Sequence, residues 1–176
     1  ILVITFTRAA AEEMRERYEA LTGGGSRATF GTFHSIFFRI LKLAYRYTAD
    51  NIVREEQQMQ FVRELAQAGG LEPEDENEFA ASILSEISSV KGERIALEHY
   101  YSKNCPDAVF RQLYAGYEEK MRRAGLIDFD DMMVLCLELF TERKDILSAW
   151  QRRYRYILID EFHDINRLQY EIVRML

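Results

Sequence analysis

Cysteine, proline, tryptophan and histidine are scarce in these 176 residues: two, two, one and three. Cys105 and Cys136 stand far apart with no metal-ligand spacing, which excludes a disulfide-stapled scaffold and a cysteine zinc cluster. They read as reduced thiols of a cytoplasmic protein. Two prolines exclude polyproline or collagen-like architecture. No apolar run approaches the roughly 18 residues a membrane helix needs. No basic segment leads into an apolar stretch at the N-terminus, so no signal peptide is visible. A net charge of −6 excludes a surface coated in cations.

What is present is a globular balance, 48% apolar and 30% charged, enough for one domain plus a small insertion. The charge is uneven. Residues 1–54 hold eight Lys/Arg against five Asp/Glu, a local +3 that leaves −9 for the remainder. A localised basic surface can meet phosphates while the whole chain stays acidic, although scattered solvated charge gives the same count.

Periodicity predicts an interrupted α/β pattern. Residues 1–6 form a continuous apolar, β-branched run, as in a strand buried on both faces of a parallel sheet. Residues 8–21 follow with a helical stripe, stopped by Gly23-Gly24-Gly25. A second strand is expected over 28–33 and a strongly apolar helix over 34–47. Residues 54–68, 78–91 and 107–124 then read as three amphipathic helices with no strand between them. Phe79, Ile83, Ile87 and Val90 share one face, as do Phe110, Tyr114, Tyr117 and Met121. Helices over 129–141 and 144–153 lead to a buried strand, Tyr156 to Ile159, and a last helix from Ile165 or Asn166.

The strand ending in Asp160-Glu161 carries the chemistry. A strand pins its last residue at the carboxyl edge of the sheet, where open α/β sheets bind ligands. An aspartate there can hold Mg²⁺, and a neighbouring glutamate can orient or deprotonate a water attacking a γ-phosphate. Adjacent acids are equally ordinary helix-start residues. The longer string is more specific. Asp160-Glu161-Phe162-His163-Asp164-Ile165-Asn166, with Gln169-Tyr170, closely resembles the acidic motif of UvrD/PcrA/Rep-type superfamily 1 ATP-dependent DNA helicases. Ile4-Thr5-Phe6-Thr7-Arg8-Ala9-Ala10-Ala11-Glu12-Glu13-Met14 resembles that family's first DNA-contacting motif, and Gly31-Thr32-Phe33-His34-Ser35 its next. Leu126-Ile127-Asp128-Phe129-Asp130-Asp131-Met132 resembles the segment returning from the helical insertion. The four matches stand in the family's order.

The resemblance implies a partial RecA-like parallel sheet from 1–47 and 125–176, with an all-helical subdomain over 48–124. It implies Mg²⁺ at Asp160, a catalytic base at Glu161, and a single-stranded DNA path over Phe6, Thr7, Arg8, Thr32, Phe33 and His34. His163 and Asp164 would couple the two. The parent protein would use ATP and Mg²⁺, act on single strands or single/double-strand junctions, and move 3′ to 5′. On the residues alone Phe6 reads as a buried strand-end phenylalanine, and Asp128 as an N-cap with Asp130 and Asp131 in the first turn.

Three departures stand out. Arg8-Ala9 replaces the usual Asn-Lys. His163 replaces the usual Gln. No G-x-x-x-x-G-K-[ST] phosphate loop occurs, Lys91-Gly92 being in the wrong order. Both ends read as cut from a longer protein, with that loop expected before Ile1 and the rest of the motor after Leu176. These residues alone are then expected to bind no nucleotide or metal and to lack ATPase activity. The alternatives are a metal-dependent nuclease using Asp128, Asp130, Asp131, Asp160, Glu161 and Asp164, and a non-catalytic nucleic-acid-binding module.

Overall fold

A computed structural model describes residues 1–24 and 27–176. In chain order the elements are β1 (Leu2–Thr5), α1 (Arg8–Thr22), β2 (Thr29–Thr32), α2 (Phe33–Tyr45), α3 (Glu55–Ala68), α4 (Glu76–Glu93), α5 (Asp107–Ala124), α6 (Phe129–Glu142), α7 (Lys144–Arg153), β3 (Ile157–Ile159) and α8 (Arg167–Met175). They fall into two compact units, one of Ile1–Tyr47 with Met132–Leu176, the other Thr48–Asp131.

The first unit is α/β. Its three strands are all parallel, in the order β2-β1-β3. The central strand β1 is the most buried, with Leu2, Ile4 and Thr5 fully covered. Thr7 caps α1 by accepting the backbone N–H of Ala10 at 3.2 Å. Gly23 ends that helix in a left-handed turn, φ 71°, a conformation that costs a residue without Cβ little. Gly25, the third glycine of the expected stop, lies outside the described residues. A capping box opens α2: Thr32 accepts from the backbone of Ser35, and Ser35 from that of Thr32. Phe33, Ile36, Phe37, Ile40 and Leu41 form its buried line. The Cys136 thiol on α6 donates to the Phe37 carbonyl at 3.4 Å.

The second unit is helical. α3, α4 and α5 pack Val62, Ala80, Ile83, Ile87, Val90, Phe110, Leu113, Tyr117 and Met121 together, with Phe79 and Tyr114 partly buried beside them. Both expected stripes therefore lie on packed faces. The chain's incoming and outgoing segments run side by side. Ile52 bridges Ile127 in parallel, Val53 donates to the Ile127 carbonyl at 3.0 Å, and Ile127 to that of Asn51 at 2.7 Å.

Two expectations about strands need correction. The run over 1–6 is a strand only to Thr5; Phe6 lies past its end. The last strand is not buried on both faces: Tyr156 beside it and Leu158 within it are 68% and 57% exposed. The reason is its position, since β3 is the edge of the described sheet and one of its faces is uncovered.

Candidate functional site

Strand register builds the site. Thr5 of β1 aligns with Thr32 of β2, and Ile4 of β1 with Ile159 of β3. Because all three strands are parallel, their carboxyl ends emerge at one edge. The segments beyond them, Phe6-Thr7-Arg8, Phe33-His34 and Asp160-Glu161, are three of the stretches singled out by sequence. The topology brings their starting points together.

Beyond β1, the buried Thr5 hydroxyl donates to the Thr7 carbonyl at 2.9 Å and sets the turn into α1. Phe6 is 39% exposed, its ring 5.6 Å from that of Phe33. It is thus not the buried strand-end residue that its local sequence favours. Arg8 projects into solvent and pairs with Glu12 at 2.8 Å, one turn along α1. The hydrogen bond to Glu12, and then the charge of that carboxylate, raise the Arg8 pKa.

Beyond β2, Thr32 is partly exposed at the cap of α2. Phe33 is 2% exposed, stacked on Phe37 at 6.2 Å. Of the two packed rings, Phe6 is therefore the open one and Phe33 the covered one. His34 is half-buried, and burial holds its imidazole pKa below the ordinary value.

Beyond β3, the Asp160 N–H donates to the Ile4 carbonyl at 2.9 Å, extending the ladder to β1. Asp160 is half-buried and Glu161 exposed. Glu161 has φ 51°, in the left-handed region. The other non-glycine residues there, Arg46 and Arg94, terminate helices. Glu161 instead turns the chain sharply off a strand, and such backbone strain concentrates at functional sites. The His163 ring lies between two carboxylates, Nδ1 3.4 Å from Glu161 Oε2 and Nε2 3.3 Å from Asp164 Oδ1. Among the described residues these three form the one grouping of four-class ligand atoms, His, Cys, Asp or Glu, close enough to share a cation. Asp160 is outside it.

The acids before and within α6 have another partner. Asp128 and Asp131 cap the helix reciprocally, each accepting the other's backbone N–H, at 2.7 and 3.0 Å. The buried Lys91 ammonium contacts Asp128, Asp131 and Glu118 at 3.0, 2.6 and 2.7 Å. Burial opposes its charge, but the three carboxylates outweigh burial and raise its pKa. Burial, then the neighbouring Asp128, pushes Asp131 up to about 6. The Tyr117 hydroxyl donates to Asp128 at 3.2 Å and accepts from Gln58 at 2.7 Å. With an ammonium already between Asp128 and Asp131, the nuclease reading finds no support. Sequence reasoning met Lys91 only as a misplaced Lys-Gly pair. Its position just past the apolar line of Ile83, Ile87 and Val90 was the available signal, and it did not identify the partners.

The model of the UvrD/REP helicase N-terminal domain matches residues 1–176. The chain is 37% identical to YjcD of Bacillus subtilis (strain 168) over 189 residues. It is 34% identical to the ATP-dependent DNA helicase PcrA of the same organism over 183 residues, and 33% identical to DNA helicase II of Escherichia coli (strain K12) over 184. Each match takes in 100% of this chain and 24–25% of the relative, so the chain spans about a quarter of the length of these proteins.

Proposed function

Because the chain belongs to the UvrD/REP helicase N-terminal domain family, we propose that it is part of the first motor domain of an ATP-dependent DNA helicase. In this reading residues 1–47 and 125–176 are a partial RecA-like motor domain, and 48–124 its helical insertion. The observation that carries the proposal is the register that brings three strand ends to one sheet edge. One of those ends supplies acids for nucleotide chemistry, the other two supply groups for a nucleic-acid strand.

Asp160 and Glu161 offer hard carboxylate oxygens, the donor class that Mg²⁺ takes. Asp160, tied by its backbone to β1, would hold the ion, which when bound neutralises charge on the phosphate oxygens. Glu161 would accept the proton of the attacking water. His163, between Glu161 and Asp164, would help to link this end to the DNA side. There Phe6 presents an aromatic face to a base. Thr7 and Thr32 accept backbone N–H bonds with their oxygens and can still donate their protons to phosphate. Arg8 can exchange its exposed partner Glu12 for a phosphate at little cost. His34 would act beside them as a neutral hydrogen-bonding group.

The proposed partners are single-stranded DNA or single/double-strand junctions, with 3′ to 5′ movement by resemblance to the family. No described helix is long and apolar enough to cross a membrane, and a cytoplasmic location is proposed on the same resemblance. Residues 1–176 contain no phosphate loop, so alone they should not hydrolyse ATP. The test is made in the full-length protein. Glu161→Gln should cut ATP turnover by about 10²–10⁴-fold, the usual worth of a general base, while nucleotide binding persists. Asp160→Ala should instead weaken Mg²⁺–nucleotide binding. Near-normal turnover in Glu161→Gln would remove the proposed base.

A further inference from the structure

The outward side of α2 carries a stripe that the strand-end residues do not account for. Ser35, Arg39, Lys42 and Arg46 are all exposed and follow one another at steps of four, three and four residues. That spacing puts them on one line of the helix and its C-cap, opposite the buried line of Phe33, Ile36, Phe37, Ile40 and Leu41. Arg8, Arg17, Arg143 and Arg167 of the same unit each pair with a carboxylate. Among the described residues Arg39, Lys42 and Arg46 form no such pair. Glu138 and Glu142 bear instead on Tyr45, at the flank of the helix.

A helix C-terminus favours cations, which accounts for Lys42 and Arg46 but not for Arg39, nearly two turns before the end. The line also has a direction. It begins at Ser35, inside the capping turn of Thr32 at the sheet edge, and runs away from that edge. Arg39 to Arg46 covers about 10 Å of axis at about 1.5 Å per residue. Lys42 lies over the Phe38 ring at 6.0 Å, a contact that leaves its charge uncompensated. Long, exposed cations without a carboxylate partner, set in a row, complement a polyanion whose charges recur at short, regular intervals.

We propose that this stripe binds the phosphate backbone of the nucleic acid beyond the sheet edge, extending the contact surface along α2. The inference rests on the DNA-binding reading above. Contacts of this kind position the strand and carry no sequence information.

The test uses the full-length protein, an oligonucleotide single strand and a single/double-strand junction, with affinity measured against salt concentration. Charge reversal by Arg39→Glu, Lys42→Glu and Arg46→Glu together should weaken binding about tenfold or more at low salt. It should also flatten the plot of log affinity against log salt. Three lost phosphate contacts correspond to a slope change of about 2 on a single strand and nearer 3 on a duplex, so the two substrates show which arm lies on α2. The charge-conserving Arg39→Lys, Arg46→Lys variant should keep the original slope. Melting temperature should be unchanged in the charge-conserving variant and only slightly lower in the charge-reversed one, which loses the favourable interaction of Lys42 and Arg46 with the helix C-terminus. An unchanged slope in the folded, charge-reversed protein overturns the stripe as a phosphate site. So does a loss of stability without a slope change, the result expected if the stripe faces an acidic part of the same protein. If the unsubstituted protein has no affinity for DNA, the proposed function falls, and this inference with it.

Discussion

Asp160 and Ile4 share a backbone hydrogen bond of 2.9 Å that carries the ladder between β3 and β1 one residue past Ile159. The proposed metal ligand and the turn leading to Phe6 therefore sit on neighbouring strands, tied at their ends. Displacing the acidic end along its strand would strain this bond. The sheet edge thus offers a short covalent and hydrogen-bonded route between the proposed nucleotide chemistry and the proposed DNA path.

Phe6 should contribute to binding more than to folding. Its ring is partly open and rests on Phe33. In the full-length protein Phe6→Ala should weaken single-strand affinity by about 1–3 kcal/mol, the worth of one stacked base, and by a similar factor at every salt concentration. Phe6→Tyr should retain it. Affinity unaltered in a folded Phe6→Ala protein would take this residue off the path.

His34 is held by burial toward its neutral form. A histidine whose folded-state pKa is depressed takes up its proton more readily when unfolded, so stability rises with pH through the region of the unfolded value, about 6.5, and falls on acidification. His34→Gln should therefore reduce acid sensitivity in the range between the two values. At pH 7.5 it should leave the salt dependence of DNA binding unchanged, because no charge is removed. A reduced salt slope at that pH would show that the ring is charged when bound.

Truncating Lys91 should cost as much as truncating a large core side chain of the helical unit. Lys91→Ala leaves Asp128, Asp131 and Glu118 without their cation, and removing one partner of a buried pair costs about 3–5 kcal/mol. Lys91→Met combined with Asp128→Asn and Asp131→Asn should recover much of that loss. Asp131 adds a pH signature. Its folded-state pKa of about 6 lies above the ordinary 3.8, so its contribution is full below about pH 4 and lost as pH rises through 6. Asp131→Asn should flatten the stability profile between those limits in denaturant titrations.

Gly31 should resist enlargement. A Cβ built there would stand 2.7 Å from the Ser35 hydroxyl oxygen and 2.9 Å from Ile36 Cδ1. Ser35 is committed to the capping box and Ile36 to the core. Gly31→Ala should lower stability by about 1–3 kcal/mol, the range for overpacking, and an unfolding free energy indistinguishable from the original would show that the Ser35 and Ile36 side chains simply give way.

Much of the architecture was legible because each element's pattern matched its own burial. The lines Ile83-Ile87-Val90 and Phe110-Tyr117-Met121 recur at helical spacing and pack together. The reciprocal caps of Asp128 and Asp131 follow from acids three residues apart at a helix start. Legibility failed where burial depends on a neighbour distant in sequence. Phe6 is open and Phe33 closed, although both are phenylalanines next to a strand end, because Phe33 begins the buried apolar line of α2 and Phe6 lies in the turn before α1. Leu158 looks like core by composition and is exposed by its position in the sheet. Lys91 meets Asp128 across 37 residues of chain, a separation that no local period encodes.

The pairing of Ile52 with Ile127 ties the segment that enters the helical unit to the one that leaves it, through two backbone hydrogen bonds. Because the two segments run parallel, the entering end and the leaving end point away from the bridge in opposite directions. A pull that separates residue 48 from residue 131 therefore shears both bonds at once rather than opening them one after the other. The bridge is a mechanical clamp at the base of α3, α4 and α5, loaded before their apolar core.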